Sequence, residues 1–401
     1  MSLFRYVNIK WLTPLLVKWL TPLLDPSPPP KHRLRRINEK NLIAMGEKAR
    51  RNQKMKIHLT CAMVAVFGVL AMPTVHAQLV TINTVFVGNA GNPAASVANA
   101  PSWPTHFGYG AVSSNYRIGT TEVTISQYTT FLNAVATSNT NSYIVNLWNS
   151  NMGTNANIAG ITRSGAGTIG NPYSYSVVVG SGNRPIALVS WFDAARFSNW
   201  LHNGATGSSN TETGAYTLNG AQSGIITKNV AASWWLPSED EWVKAAYYNP
   251  TMNSGAGGYT LHANQSNSMT TNTVGASGGA NYRDLDYATT QSITYSSSQN
   301  YLTDAGAYSS TLSFYGTLDQ AGSVFEWNDA VVSGSNRGMR GGHWFSEVSD
   351  LRGAYRDQAA PTFENSFVGF RVANVPEPST TMLMLLGTAG WLARRRRKNT
   401  L

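Results

Sequence analysis

The stretch DQAGSVFEWNDAVVSGSNRGMRGGHWFSEVSDLRGAYRDQAAPTFENSFVGFR runs from Asp319 to Arg371, and it decides the fold of this chain. It is rich in glycine, aromatic residues and arginine. It contains the tripeptide Arg340–Gly342 and ends in the tripeptide Gly369–Arg371. It contains no cysteine, so no thiol chemistry can be placed in this segment.

Three further motifs precede this stretch, and each lies beside a predicted helix. They are IGTTEVT at 118–124, PIALVSW at 185–191 and WLPSEDEW at 235–242. A Ser or Thr followed three residues later by Gln, Asp or Glu is typical of a helix N-terminus. The pattern predicts helix starts at the pairs Thr124/Gln127, Ser190/Asp193 and Ser238/Glu241. A strand is predicted at 116–123, with a second β-like stretch from Val80.

Together with GSVFEW at 322–327, these motifs resemble the signatures of the formylglycine-generating (sulfatase-modifying) enzyme family. Six motifs fall in that family's order, over about Val80 to Ala373. The resemblance implies a single, irregular, loop-rich α+β domain related to C-type lectins, which we place at 78–375. The polar, glycine-rich stretches at about 146–182, 205–225 and 251–300 are expected to be surface loops with some short strands.

The basic character of the chain lies outside this domain. The formal net charge is +10, yet residues 78–375 contain 12 Lys and Arg against 16 Asp and Glu. The excess positive charge therefore belongs to the two ends of the chain. A nucleic-acid partner loses its main support, because binding of that kind needs a basic domain surface.

The N-terminal part predicts export. Residues 55–77 have a charged start, an apolar run and a small-residue site ending at Ala77, which is the layout of a secretory signal peptide. Residues 1–54 are then best explained as a mis-annotated extension, with Met55 as the true start. The alternative is that they form a long n-region on an uncleaved anchor.

The C-terminal part predicts sorting. Residues 376–401 contain Pro-Glu-Pro, an apolar run too short to span a bilayer and an arginine cluster. This resembles the PEP-CTERM sorting signal, whose family is recognised by an exosortase in the inner membrane of Gram-negative bacteria and removed during export. An ordinary tail anchor is the alternative. The domain is predicted to be secreted or on the cell surface, with only transient membrane contact through the tail.

The family's oxidase chemistry is not expected here. The only cysteine, Cys61, lies in the predicted signal peptide, so the mature protein has no disulfide and no thiolate. In the family, two cysteines after the Arg-Gly-Gly element bind copper. Ser346 falls where the first of them would be, and a hydroxyl is a poor ligand for Cu(I). No copper is expected.

His343 is the remaining candidate for chemistry in this segment. The predicted mature body has four histidines, at 106, 202, 262 and 343, and no pair with helical metal-ligand spacing. We favour a structural or surface histidine over a metal ligand. If the domain is an enzyme, His343 and Ser346 with nearby carboxylates are the only candidate catalytic residues.

A calcium site is the best ion prediction. The resemblance places its ligands at the side chains of Asp319 and Glu326 and the backbone carbonyls of Gly322 and Val324, and hard oxygens suit calcium. The alternative is that Asp319 and Glu326 cap turns or pair with arginines 340 or 352. A second family site would involve Asn281 and the carbonyl of Tyr282.

Other prominent side chains are predicted to be structural. The family resemblance implies that arginines 352, 356 and 371 hold the C-terminal core by pairing with carboxylates and carbonyls. Six tryptophans are predicted to lie mostly in the core, at positions 191, 200, 235, 242, 327 and 344. Any that are exposed could stack on sugars.

Two functions from different classes follow. The first is an exported, non-catalytic binding protein of the cell surface or extracellular matrix, whose partner is exopolysaccharide or a surface protein. The second is a divergent enzyme that uses a non-cysteine site around His343 and Ser346. Loss of the cysteines, the polar loops and the sorting tail favour the first.

Overall fold

A computed structural model of the protein describes residues 79–376. The predicted extension (1–54), the predicted signal peptide (55–77) and the sorting signal beyond Pro376 lie outside the described residues. Within the range that is described, no helix combines the length and the apolar character needed to cross a bilayer.

Residues 79–376 contain five α-helices, three of them longer than one turn. They are α1 (Ile125–Val135), α2 (Ser142–Val145), α3 (Asn151–Thr154), α4 (Trp191–His202) and α5 (Glu239–Tyr247), all within residues 79–376. All three predicted helix starts are confirmed, since α1, α4 and α5 each begin with a complete capping box. The reciprocal bonds satisfy backbone N–H groups that a helix start leaves free.

The strands are short and come from the whole length of the domain. In chain order they are β1 (Thr84–Val87), β2 (Tyr116–Gly119), β3 (Ile161–Ser164), β4 (Ser174–Val177), β5 (Trp234–Trp235), β6 (Tyr248–Asn249), β7 (Gly258–Tyr259), β8 (Arg283–Asp284), β9 (Asp286–Tyr287), β10 (Phe325–Ser333), β11 (Asn336–Arg340), β12 (Asp357–Ala359), β13 (Val368–Phe370) and β14 (Ala373–Asn374). The strand predicted at 116–123 ends at Gly119, because residues beyond it turn into α1.

Two four-stranded sheets organise the domain. One has the order β1-β2-β14-β5, so the last strand of the domain lies between two earlier ones. The other has the order β12-β11-β10-β13, with β10 and β13 parallel and its other pairs antiparallel. The predicted loops contain two-stranded hairpins, β3-β4 and β8-β9 among them.

Aromatic side chains fill the core between the helices and the sheets. One cluster joins α1, α4 and β13 through edge and stacked contacts among Tyr128, Phe131, Phe197, Trp200 and Phe370. The six tryptophans predicted for the core are all at most 6% exposed, so that prediction is confirmed. Each such ring removes a large apolar area from water.

The second sheet positions the predicted site residues. The parallel register pairs Glu326 with Gly369, two residues before Arg371, and so brings two distant motifs together. Strand β11 ends at Arg340, and the chain then turns through Gly341 and Gly342, whose φ angles are 101° and 76°. Such positive φ values favour glycine, because a Cβ is strained there. The turn places His343 and the residues after it at one end of the sheet.

Candidate functional site

His343 and Ser346 are brought together by their backbones. The Ser346 Oγ accepts a hydrogen bond from the His343 backbone N–H at 3.2 Å, and the Ser346 N–H donates to the His343 carbonyl at 2.8 Å. Ser346 is buried, with 3% exposure. Its hydroxyl therefore closes a turn, as serine often does when it bonds to nearby backbone.

The imidazole of His343 faces an aromatic neighbour rather than the serine. It lies flat on the Phe367 ring, with centroids 4.3 Å apart, and its Nδ1 accepts from the Phe345 N–H at 3.1 Å. The ring proton is therefore on Nε2. Burial lowers the pKa of His343 to about 4, so the ring is neutral at neutral pH. No bond links the ring to the Ser346 hydroxyl, which is the contact a nucleophile and its base require.

Beside this turn lies a cavity of about 470 Å³, which we call the aromatic cleft. It is lined by Asn155, Asn157, Tyr287, Tyr295, Trp344, Phe345, Ser366 and Phe367. Its wall is a continuous stack, because the Tyr301 ring lies parallel to Trp344 at 4.8 Å and Tyr295 lies on Tyr301 at 5.8 Å. Trp344 is 6% exposed, so it is both a core residue and the floor of the cleft.

Two aromatic rings of the cleft remain open to solvent. Phe345 is 45% exposed and Tyr295 is 49% exposed. The Tyr295 hydroxyl donates to the Asn157 Oδ1 at 2.6 Å, and the Asn157 amide donates to two backbone carbonyls, so this part of the wall is held in place. An aromatic surface that is both rigid and exposed is a common feature of binding sites.

Sequence reasoning did not find the aromatic cleft. Its residues come from four separate segments of the chain, of which two lie in predicted loops and none lies within the six motifs. The available indication was Phe345, an aromatic residue that follows Trp344 in the segment where the family carries cysteine. Its exposure could not be read from the sequence, because Trp344 beside it is buried.

The predicted calcium ligand Glu326 is bound to an arginine. Its carboxylate accepts two hydrogen bonds from Arg371, Nε to Oε2 at 2.5 Å and Nη2 to Oε1 at 2.7 Å, and a third from the Trp242 Nε1 at 2.8 Å. Both ends of this ion pair are completely buried. Glu326 therefore pairs with Arg371, not with arginines 340 or 352 as the alternative interpretation had it.

The other predicted calcium ligands form a turn. Asp319 has a φ of 57°, and its Oδ2 accepts a bond from the Gly306 N–H. Gly322 has a φ of 83°, and a Cβ there would lie 2.2 Å from the Asn281 carbonyl oxygen, so the turn requires glycine. That same Asn281 carbonyl accepts from the Ser323 N–H at 2.7 Å, while the Asn281 side chain donates to the Tyr301 carbonyl at 3.0 Å.

Three carboxyl groups, those of Glu122, Asp319 and Glu326, lie near a single cation, Arg371. Glu122 is 2% exposed, and neither of its carboxylate oxygens has a hydrogen-bond partner within residues 79–376. Its pKa is raised well above the ordinary value, first by burial and then by the charges of Asp319 and Glu326, with Arg371 acting against them. Burial also raises the pKa of Asp319, to about 6. A buried carboxylate without a partner is costly unless it is protonated or compensated by a cation.

These residues fit calcium only in part. Calcium takes about six to eight oxygen ligands, whereas Glu326 already accepts three hydrogen bonds here. No three Asp, Glu, His or Cys side chains within residues 79–376 are grouped to hold a metal ion. The predicted set uses only two such side chains with two carbonyls, so calcium stays a prediction.

The predicted roles of the arginines differ in outcome. Glu239 receives Arg340 at 2.7 Å and Arg356 at 2.7 Å, and Arg371 holds Glu326, so arginines 356 and 371 pair as predicted. Arg352 forms no ion pair with any described residue, and its buried Nε has no acceptor. The pairing predicted for Arg352 is therefore not found between residues 79 and 376.

The sequence of this chain matches the models of two known families. A family model described as the sulfatase-modifying factor enzyme 1-like domain matches residues 104–376, more than half of the chain. The chain belongs to this family. The match confirms the α+β fold that the six motifs predicted. A second model, the PEP-CTERM protein-sorting motif, matches residues 374–398 and implies export to the cell surface or outer envelope with exosortase-type processing.

Three solved structures similar to this sulfatase-modifying factor-like chain are distant in sequence. A structure titled Treponema denticola variable protein 1 is 20% identical, covers 76% of this chain and 98% of that one, and has a TM-score of 0.45. A structure titled Crystal Structure of CarF is 21% identical, with coverage of 74% and 99% and a TM-score of 0.41. PvdO from Pseudomonas aeruginosa is 16% identical, with coverage of 76% and 100% and a TM-score of 0.41. A search of curated proteins gives no match.

Proposed function

We propose that this exported domain is a non-catalytic binding protein whose aromatic cleft holds a segment of extracellular polysaccharide. The observation that carries the proposal is the set of exposed aromatic faces inside a cavity of about 470 Å³. Cavities of roughly 300–1,000 Å³ are typical of small-ligand sites, so one or a few sugar units match this volume.

The cleft has the two chemical features that sugars need. A sugar ring presents an apolar C–H face, which packs well on a flat aromatic side chain such as Phe345 or Trp344. Its hydroxyl groups need polar partners at the edge of that contact, and Asn155 and Ser366 line the same cavity. A mostly aromatic wall with a few polar groups is the usual composition of a specific binding pocket.

The hydrogen bonding of His343 and Ser346 supports a binding role. Ser346 is buried and its hydroxyl accepts from a backbone N–H, while the His343 ring accepts on Nδ1 from another. The predicted mature body contains no cysteine to serve as a nucleophile or copper ligand. The residues beside the cleft therefore offer aromatic contact rather than an activated nucleophile.

The test is polysaccharide binding by wild type and by a Phe345→Ala variant, measured by titration calorimetry with exopolysaccharide from the host. We expect binding by wild type and a loss of about tenfold in the variant, because an aromatic contact worth about 1.4 kcal/mol corresponds to that factor. Phe345 is 45% exposed, so its removal should leave the fold intact.

Phe86→Ala is the matched control. Phe86 is 49% exposed on β1 and does not line the aromatic cleft, so its removal changes a comparable surface elsewhere. Affinity should stay at the wild-type value in this variant. No binding by wild type, or an equal loss in both variants, would rule out the cleft as a polysaccharide site.

A further inference from the structure

An arginine stands at the edge of the aromatic cleft. The guanidinium of Arg283 lies 5.6 Å from the centroid of the Phe345 ring and 5.8 Å from that of the Tyr287 ring, and both rings line the cleft. The Arg283 backbone N–H donates to the Ser346 carbonyl at 2.9 Å. The strand that carries the arginine is thus tied to the loop that carries Phe345.

The hairpin register sets which side chains face the cleft. Strands β8 and β9 pair Arg283 with Tyr287 and Asp284 with Asp286. Because side chains alternate along a strand, Arg283 and Tyr287 share one face and the two aspartates share the other. Asp286 accepts instead from the Asn272 amide at 2.7 Å. The neighbouring negative charges are therefore directed away from the guanidinium.

Apart from the rings of Phe345 and Tyr287, the guanidinium of Arg283 has no hydrogen-bond acceptor or carboxylate partner among residues 79–376. It forms no ion pair there, and its Nε is buried without an acceptor. The buried arginines 196, 337, 340 and 371, by contrast, each hold a carboxylate. A buried donor that is left unpaired costs free energy, so an acceptor from a ligand would stabilise the guanidinium of Arg283 in this position.

We propose that Arg283 makes the aromatic cleft selective for acidic polysaccharide, by pairing with a uronate carboxylate whose sugar ring lies on Phe345. This rests on the proposed function, since it assigns the charge of the ligand in the same cleft. A guanidinium matches a carboxylate with two parallel hydrogen bonds. The ring contact and the ion pair would be made by adjacent parts of one sugar unit.

The test compares two probes on the full exported protein, alginate as a polyuronate and dextran as a neutral glucan. At low salt, alginate should bind at least about tenfold more tightly than dextran, because charge-assisted hydrogen bonds are stronger than neutral ones. The preference should shrink as salt is added, since screening weakens exposed charge pairs. An Arg283→Gln variant should lose about tenfold in alginate affinity and keep its dextran affinity.

Arg163→Gln is the matched control. Its guanidinium also lies over aromatic rings, Trp148 at 4.0 Å and Tyr173 at 4.2 Å, but neither ring lines the cleft. That variant should bind alginate like wild type. A thermal unfolding curve for each variant shows that the fold is retained.

The outcomes separate this proposal from the proposed function. If both probes bind equally, respond to Phe345→Ala and ignore Arg283→Gln, the cleft binds polysaccharide and the charge assignment is overturned. If neither probe nor the host polysaccharide binds, the proposed function fails and this proposal fails with it. Loss of alginate binding alone in Arg283→Gln supports both.

Discussion

At the scale of single residues, the most constrained group is the buried pair of Glu326 and Arg371. Both carboxylate oxygens and the Nε and Nη2 groups of the arginine are used, and the remaining donors of Arg371 reach the carbonyls of Gly119, Thr120 and Leu318. The pair joins β10 to the residue after β13 and to the turn before α1. Removing an ion pair from water costs free energy, and this cost is offset only when nearly every donor of the pair has an acceptor, as it does here.

We expect Arg371→Met to destabilise the protein by about 3–5 kcal/mol, because Glu326 would remain as a buried charge without its partner. Urea denaturation measures the loss. Arg356→Met is the control, since that side chain is 21% exposed and Glu239 keeps Arg340 as a partner. Similar small losses in both variants would show that the buried pair is not what holds this sheet.

Sequence could indicate these residues but not their partners. The motifs at 322–327 and 369–371 are adjacent only because β10 and β13 pair in parallel. About 40 residues separate the two motifs along the chain, so this register could not be predicted from the sequence. A turn at Asp319 was among the alternatives considered from the sequence. Nothing in the sequence indicated that the carboxylate of Glu122 would be buried without a hydrogen-bond partner among the described residues. Its burial depends on packing among three distant segments.

At the scale of elements, the helix starts were predicted correctly because they depend on side chains close together in the sequence. The caps of α1, α4 and α5 are pairs three residues apart, so everything needed to predict them lies within one turn. The two-residue strands are different, because β5, β8 and β14 become strands only through their neighbours. No periodicity can be recognised in two residues, and these elements were not predicted.

The cap of α1 gives a prediction at this scale. Thr124→Ala should lower stability by about 1 kcal/mol, because it leaves the Gln127 backbone N–H without its acceptor at the start of the helix. The matched control is Thr130→Ala, inside the same helix, which should be neutral or slightly stabilising since alanine is the better helix former. Chemical denaturation of both variants tests this, and equal losses would contradict it.

At the scale of the whole molecule, the aromatic cleft is a product of assembly. Its walls come from the α3 end at Asn155, the hairpin at Tyr287, the turn at Phe345 and the segment at Phe367. Ser346, which the resemblance places at the family's first cysteine position, follows the cleft residue Phe345, so this segment carries aromatic surface and no thiol. No single segment contains enough of this site to predict it from sequence.

The calcium prediction is also a property of the whole fold. If calcium binds at Asp319, the unfolding temperature should rise with the logarithm of the calcium concentration, and the added stability should be about 2.7 kcal/mol at 100 times Kd. A chelator should reverse the shift, and Asp319→Ala, which removes the side-chain oxygens, should abolish it. Asp304→Ala, at an exposed carboxylate, should leave it unchanged. Identical melting curves with calcium and with chelator would exclude the ion.

The position of β14 links folding to export. Ala373 and Asn374 pair with β2 on one side and β5 on the other, and the sorting motif already begins at residue 374. If the domain folds after export, the sheet cannot close until Ala373 and Asn374, the last residues before the tail, have crossed the membrane. Strand β14 would then complete this sheet as a final step. No linker separates the sheet from the sorting motif, because the motif begins at the last residue of β14. A pull on the tail would act directly on an inner strand of the sheet.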